Sequence, residues 1–369
     1  MRKILLLFVC ALICACKSKS EPQDIVIEGN VRGIPDGKVY LVDAFRVADV
    51  RDSADCVGGR FKFVITPDSS FVPYMASIMG GSLSDPKMRK QFFFRNYMKG
   101  ADSTRNRVGS FYVERGLTKI SGDNDQAPYL RVFAGAETDL MFAKGLAFGG
   151  PGGKTAAERQ SAIDRTASEI RKHPASFHLL QMLFFNKTYY TEPELKELVA
   201  LFDDDVRTSK LGEEFRTYFT NRRNPGEAFP NMSFYGPDGK RRPVIDPEAK
   251  LNMLVFWSSW CGPCRREIPV FKEIEQEYRG RGLNMVSISI DEYKDRWTKA
   301  LSEEKMVWPQ FIADPDKISY LQETFNFVGI PLVVFTDDHG VEIARFDGNR
   351  EENKGEYHQV IDRYVGRGI

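Results

Sequence analysis

Trp260-Cys261-Gly262-Pro263-Cys264 stands where an apolar run gives way to a helical pattern, and its reading decides the fold. Residues 251–257 are apolar apart from Asn252 and rich in β-formers, while Val270, Phe271, Ile274 and Tyr278 recur beyond the motif at helical spacing. The two cysteines therefore occupy a strand-to-helix turn. Pro263 carries a φ pre-set for a first helical turn, so the Cys261 sulfur is expected to face unpaired backbone N–H groups at a helix N-terminus. Such groups favour the thiolate, lowering a cysteine pKa from about 8.5 into the range of roughly 3.5 to 7.5. Cys261 is the expected nucleophile. Cys264, one turn further in and more buried, is expected to attack the mixed disulfide that Cys261 forms and so to resolve it.

A structural disulfide and half of a zinc site are the plain alternatives. A four-ligand zinc site needs a second Cys or His pair, and His173, His178, His339 and His358 are scattered without ligand spacing. No metal is expected. A two-residue spacer on a strand-helix turn is the redox arrangement rather than an inert cross-link.

From Phe256 through Pro269 the chain reads Phe-Trp-Ser-Ser-Trp-Cys-Gly-Pro-Cys-Arg-Arg-Glu-Ile-Pro. This stretch resembles the thioredoxin superfamily, in particular its membrane-anchored thiol-disulfide oxidoreductases outside the cytoplasm. The similarity extends from Pro230-Asn231-Met232-Ser233-Phe234, like that group's opening strand, to Gly329-Ile330-Pro331, like its cis-proline site, and spans roughly the last two-fifths of the chain. It implies a cis bond that sets the Ile330 backbone beside the cysteines, with Trp260, Ile330 and Pro331 contacting an extended substrate. It also implies a role for Glu267, since related exported reductases carry a functional glutamate there. Lying three residues after Cys264 on nearly the same helix face, a partly buried Glu267 carboxyl would exchange a proton with that sulfur; the alternative is a solvated helix glutamate. Cytoplasmic thioredoxins have a buried aspartate where this chain has Val255, so its proton handling is expected to differ. Arg265 and Arg266 read as a solvated face, and Pro269 as a kink inside the helix.

The order of elements in 224–369 supports the same fold. Strands at 283–290 and 309–313 alternate with helices at 294–304 and 318–325; 332–335 and 341–346 flank the turn Asp337-Asp338-His339-Gly340, and Tyr357, Val360, Ile361, Tyr364 and Val365 mark a closing helix. The reading is α/β: a thioredoxin-like mixed sheet flanked by helices, with a βα addition in its centre.

At 369 residues the chain is long enough for two or three domains, and its net charge of +1 points to no polyanionic partner such as nucleic acid. Arg2 and Lys3 precede an apolar run over 4–15, shorter than the roughly 20 residues of a transmembrane helix. Residues 1–15 read as a lipoprotein signal peptide and 16–24 as a polar tether. Ile13-Cys14-Ala15-Cys16 resembles a lipobox, which implies that Cys16 becomes the lipidated N-terminus; an ordinary cleaved signal peptide is the alternative. Among the six cysteines, Cys56 remains as a small buried hydrophobe.

Residues 25–148 read as a β-rich domain, with strands at 25–31, 39–42, 60–65, 71–78 and 111–120, and with 87–98 as a helix or an irregular insertion. Ile27-Glu28-Gly29-Asn30-Val31 and Gly37-Lys38-Val39-Tyr40-Leu41 resemble an uncharacterised domain that precedes thioredoxin-like domains in exported lipoproteins. Gly149-Gly150-Pro151-Gly152-Gly153 reads as a linker, and 155–223 as helices at 156–172, 176–185, 194–206 and 213–222. Leu195, Leu198, Val199, Phe202 and Val206 form an apolar stripe.

The resulting expectation is a lipid-anchored thiol-disulfide oxidoreductase in the envelope of a Gram-negative bacterium, facing the periplasm. It would need no cofactor, reduce envelope-protein disulfides, and draw electrons from a membrane thiol carrier. A peroxiredoxin-like peroxidase fits less well, because that pattern requires proline at Leu254 although Ser258 matches. The rival of another class is an envelope-binding lipoprotein whose N-terminal domains do the work.

Overall fold

A computed structural model describes residues 24–46, 48–81, 90–98, 106–124, 130–144, 150–151 and 155–366. The expected signal peptide, the lipidation site Cys16 and most of the glycine linker lie outside these residues. Two compact units emerge, one running to Leu183 with Leu201–Lys210 added, the other comprising Phe184–Ala200 and Leu211–Ile369. The residues of the helical region, 155–223, are divided between them.

In the first unit the strand Ile25–Arg32 pairs antiparallel with Arg60–Ile65 and in parallel with Gly116–Asp123, whose outer neighbour is Arg131–Phe133. A second sheet sets Gly37–Asp43 between Val50–Cys56 and Tyr74–Gly80. Alternate residues such as Ile25, Ile27, Phe61 and Phe63 point into one core with Leu41, Ile78 and Phe111, as period-two strands require. Cys56 is buried in that core, and burial pushes its thiol pKa up, in keeping with a packing role.

Three sequence expectations need correction here. The strand expected over 111–120 is two strands, Phe111–Val113 and Gly116–Asp123, in different sheets, because Gly116 turns the chain at a φ of 107°. The helix expected over 194–206 is broken into Glu192–Val199 and Asp204–Arg207. Asp203, first of three consecutive aspartates, takes the extended N-cap conformation before the second helix, where aspartate is favoured over a helix interior. Thr191, paired with Glu194 in a capping box, starts the first of these helices earlier than expected. The described part of 87–98 holds two short strands, Lys90–Gln91 and Phe94–Arg95, rather than a helix.

The second unit is built on a seven-stranded mixed sheet. We label its elements β1 (Ser233–Tyr235), β2 (Arg241–Pro243), β3 (Leu251–Trp257), α1 (Gly262–Tyr278), β4 (Leu283–Ser289), α2 (Lys294–Glu304), β5 (Gln310–Ile312), α3 (Ile318–Thr324), β6 (Leu332–Thr336), β7 (Glu342–Asp347) and α4 (Asn353–Val365). The strand order is β2-β1-β5-β4-β3-β6-β7. Helical crossovers α1 and α2 make β3, β4 and β5 parallel, whereas the short turn after β6 makes β6 and β7 antiparallel. All residues of β3 are buried, as a strand covered on both faces requires. Leu254 and Phe256 pack toward Phe325 and Leu332 on one face; Met253 and Val255 pack toward Ile268, Phe271 and Tyr357 on the other. Asn252 is tolerated inside this apolar strand because its amide bonds the Asp246 and Asp337 carbonyls and its oxygen accepts from Asp246 N and Asn284 Nδ2. The C-terminal fold is therefore α/β and thioredoxin-like, with the β1–β2 hairpin at one edge of its sheet.

Candidate active site

The site forms where β3 ends and α1 begins, at the carboxyl edge of the parallel strands. Cys261 N donates to Ser258 O at 3.1 Å, closing a tight turn that leaves Trp260 64% exposed. Cys261 is the N-cap of α1, with φ −82° and ψ 96°, and its sulfur accepts from Cys264 N at 3.1 Å. This is the contact expected from Pro263 in the first turn: one otherwise unpaired helix N–H is aimed at the sulfur where the thiolate develops. Cys261 and Cys264 are joined as a disulfide with Cα atoms 5.3 Å apart. Both sulfurs' residues are buried, at 4% and 2% exposure, so the expected difference in exposure is slight in the oxidised state. Trp257, Trp297, Ala300 and Ile312 wall them in.

The peptide bond Ile330–Pro331 is cis, and the Ile330 carbonyl oxygen lies 3.7 Å from Cys261 Sγ. A groove of about 570 Å³ opens beside it, lined by Trp260, Ile330, Val328, Tyr293 and Arg296 among others. Three elements distant in sequence thus present an exposed aromatic, a backbone edge and apolar side chains beside the reactive sulfur. Pro331 supplies the bend, and Trp260 and Ile330 supply groove wall.

Glu267 is 3% exposed, not solvated. Burial pushes its carboxyl above the usual range, and hydrogen bonds from Tyr357 and Asn353 oppose this only in part. Tyr357 OH donates to Oε1 at 2.7 Å and Asn353 Nδ2 approaches the same oxygen at 3.5 Å. One turn after Cys264 on α1, it is a buried group that holds a proton more firmly than a surface carboxyl. Arg265, by contrast, bonds Glu304 and Glu303 across to α2 and takes no part in the groove. Pro269 lies within α1, which continues through it.

Asp291 was not legible in the sequence as part of the site. It is 1% exposed, two residues past the end of β4, and its carboxylate accepts from Ser259 N at 2.8 Å, Ser259 Oγ at 2.6 Å and Ser289 Oγ at 2.6 Å. It thereby ties the parallel-sheet edge to the turn two residues before Cys261. The available signal was its place just past the carboxyl end of a buried parallel strand. Tyr293 and Arg296 were missed for the same reason: the groove exists only once α2 is docked beside α1.

A family model described as thioredoxin-like matches residues 248–341. The chain is 25% identical over 150 residues to the thiol-disulfide oxidoreductase ResA of Bacillus thuringiensis subsp. konkukian (strain 97-27), covering 40% of this chain and 85% of that protein. It is 26% identical over 124 residues to the thioredoxin-like protein YneN of Bacillus subtilis (strain 168), covering 31% and 67% respectively. A solved thiol:disulfide interchange protein from Chlorobium tepidum TLS aligns at a TM-score of 0.34 and 24% identity, covering 39% of this chain and 99% of that one. Residues 248–341, within the C-terminal α/β fold, therefore form a thioredoxin-like domain.

Proposed function

We propose that this thiol-disulfide oxidoreductase is lipid-anchored through Cys16 in the envelope of a Gram-negative bacterium, faces the periplasm, and reduces disulfides of envelope proteins with electrons from a membrane thiol carrier. The observation that carries the chemistry is the Cys261 sulfur at the head of α1, hydrogen-bonded by Cys264 N and set against the cis Ile330–Pro331 edge. In the reduced protein the Cys261 thiolate attacks a substrate disulfide. One substrate sulfur leaves as a thiolate, and Cys261 is joined to the other. Cys264 loses its proton and attacks Cys261 Sγ, the second substrate sulfur departs, and the pair closes to the Cys261–Cys264 disulfide seen here. Two electrons pass to the substrate and a dithiol carrier must return them. The groove along Trp260 and Ile330 suits an extended polypeptide segment laid over Cys261.

Reduction is favoured over oxidation by charge. The more a site stabilises its thiolate, the more oxidising its disulfide becomes. The buried Asp291 carboxylate, held by the turn just before Cys261, would oppose the N–H bond in stabilising a thiolate there. The Gly262-Pro263 spacer also resembles that of reducing thioredoxins.

The anchor is testable directly. Cys16→Ser is expected to move the protein from the membrane to the soluble fraction, and mass spectrometry of the mature N-terminus should find an acylated Cys16. An unacylated product beginning elsewhere would remove the anchor while leaving the redox chemistry in place. Among the described residues no helix is long and apolar enough to cross a membrane.

A further inference from the structure

The two oxygens of the Glu267 carboxyl stand in different surroundings. Oε1 receives Tyr357 OH at 2.7 Å and the Asn353 amide at 3.5 Å, both from α4. Oε2 is buried without a hydrogen bond of normal geometry, although the Asn349 side chain contributes weakly to the carboxyl from the loop before α4. Asn353 is itself fixed by donating to the Gly348 carbonyl at 2.8 Å, and it reaches Tyr357 OH at 3.3 Å. The Tyr357 ring is fully buried and packs against Phe346, Phe271 and Phe335 with centroids 4.9, 6.0 and 6.0 Å away. Its hydroxyl has little freedom to turn elsewhere.

Building on the exchange reaction proposed above, we propose that Tyr357 is a positioning residue which, by donating to Oε1, assigns the Cys264 proton to Oε2 of Glu267. An oxygen already facing donors has no room for a proton of its own, so the neutral carboxyl carries its proton on Oε2. Cys264 precedes Glu267 by one helical turn. In the disulfide its sulfur has neither a proton to give nor a charge to receive one. During resolution the Cys264 thiol proton passes to Oε2. The S–H bond breaks and the O–H bond forms; the thiolate attacks Cys261 Sγ and the substrate thiolate leaves. Tyr357 stays a donor throughout, because burial and the neighbouring Glu267 hold its pKa far above the usual phenol value. The titratable group bonded to Glu267 is Tyr357 from α4, on which Arg350 acts from the loop between β7 and α4; Cys264 stands one turn earlier on α1.

The sign of the effect separates positioning from packing. Tyr357→Phe keeps the ring and deletes one donor to the carboxylate, so the Glu267 pKa rises further. A merely loosened core admits water and lowers it. With the full chain in detergent and reduced, carboxyl-labelled glutamate would be titrated by NMR, with Glu267→Gln identifying the resonance. The expected result is an alkaline displacement of about one pH unit in Tyr357→Phe, matched by the pH–rate profile for a small neutral disulfide. An acid displacement, or none, would overturn the assignment. A Glu267→Gln protein with an unchanged pH–rate profile would overturn it as well; exchange abolished by Cys261→Ser would still support the reductase reading in that case.

Discussion

Replacing Cys264 by serine is expected to accumulate covalent complexes between this protein and its substrates, while Cys261→Ser accumulates none. The difference follows from position on α1. Cys261 heads the helix, accepts the Cys264 N–H at 3.1 Å and borders the groove at Ile330, so it attacks first. With serine at 264 no thiolate stands one turn behind to resolve the mixed disulfide, because a serine hydroxyl does not ionise in this range. Both residues are about equally buried in the disulfide, so accessibility alone would predict similar trapping by the two variants. Non-reducing gels of envelope fractions would show the ladder, and identification of the trapped species would name partners. Equal trapping by both variants would reverse or dissolve the assigned order of attack. Trapping by neither would favour an envelope-binding lipoprotein with an idle cysteine pair.

Asp291→Ala is expected to be the most damaging change outside the cysteines themselves. The carboxylate accepts three hydrogen bonds at 2.6 to 2.8 Å, and truncation leaves the half-buried Ser259 without this partner beside the reactive turn. Hydrogen bonds to a charged group are individually worth about 1.5–3 kcal/mol, so a loss of roughly 3 kcal/mol in stability is expected after partial relaxation. Exchange should slow by on the order of tenfold or more as the Cys261 turn loses its tether to β4. Asp291→Asn is the informative partner. It retains an acceptor for Ser259 N but removes the charge, so it should fold well and shift the Cys261–Cys264 couple toward more oxidising values. A stable Asp291→Ala protein with unimpaired exchange would show that the turn holds without this carboxylate.

Much of the C-terminal domain was legible because its signals are local. The β3 run, the Pro263 start and the stripe of Val270, Phe271, Ile274 and Tyr278 each occupy neighbouring residues; β3 is buried throughout, as are Phe271, Ile274 and Tyr278. The cis bond at Ile330–Pro331 was expected from family resemblance, since X-Pro bonds are mostly trans and nothing local distinguishes this one. What escaped depended on tertiary partners. The helix Ala136–Lys144 was hidden within a stretch read as β; its N-terminal N–H groups are met by Glu114, a distant carboxylate. No motif in the sequence marks Asp291, whose partners Ser259 and Ser289 are brought to it by the fold. Glu267 was singled out in the sequence, but its burial and the asymmetry of its oxygens depend on α4, whose Tyr357 and Asn353 arrive from the end of the chain.

The central claim is that the Cys261–Cys264 pair serves as a reductant, and its equilibrium reduction potential tests this most directly. Titrated against a dithiol redox buffer and read by thiol alkylation, the couple is predicted to lie near the value of about −270 mV that marks thioredoxin. A potential near about −120 mV, where a strongly stabilised thiolate makes the disulfide an oxidant, would contradict the proposed direction of electron flow.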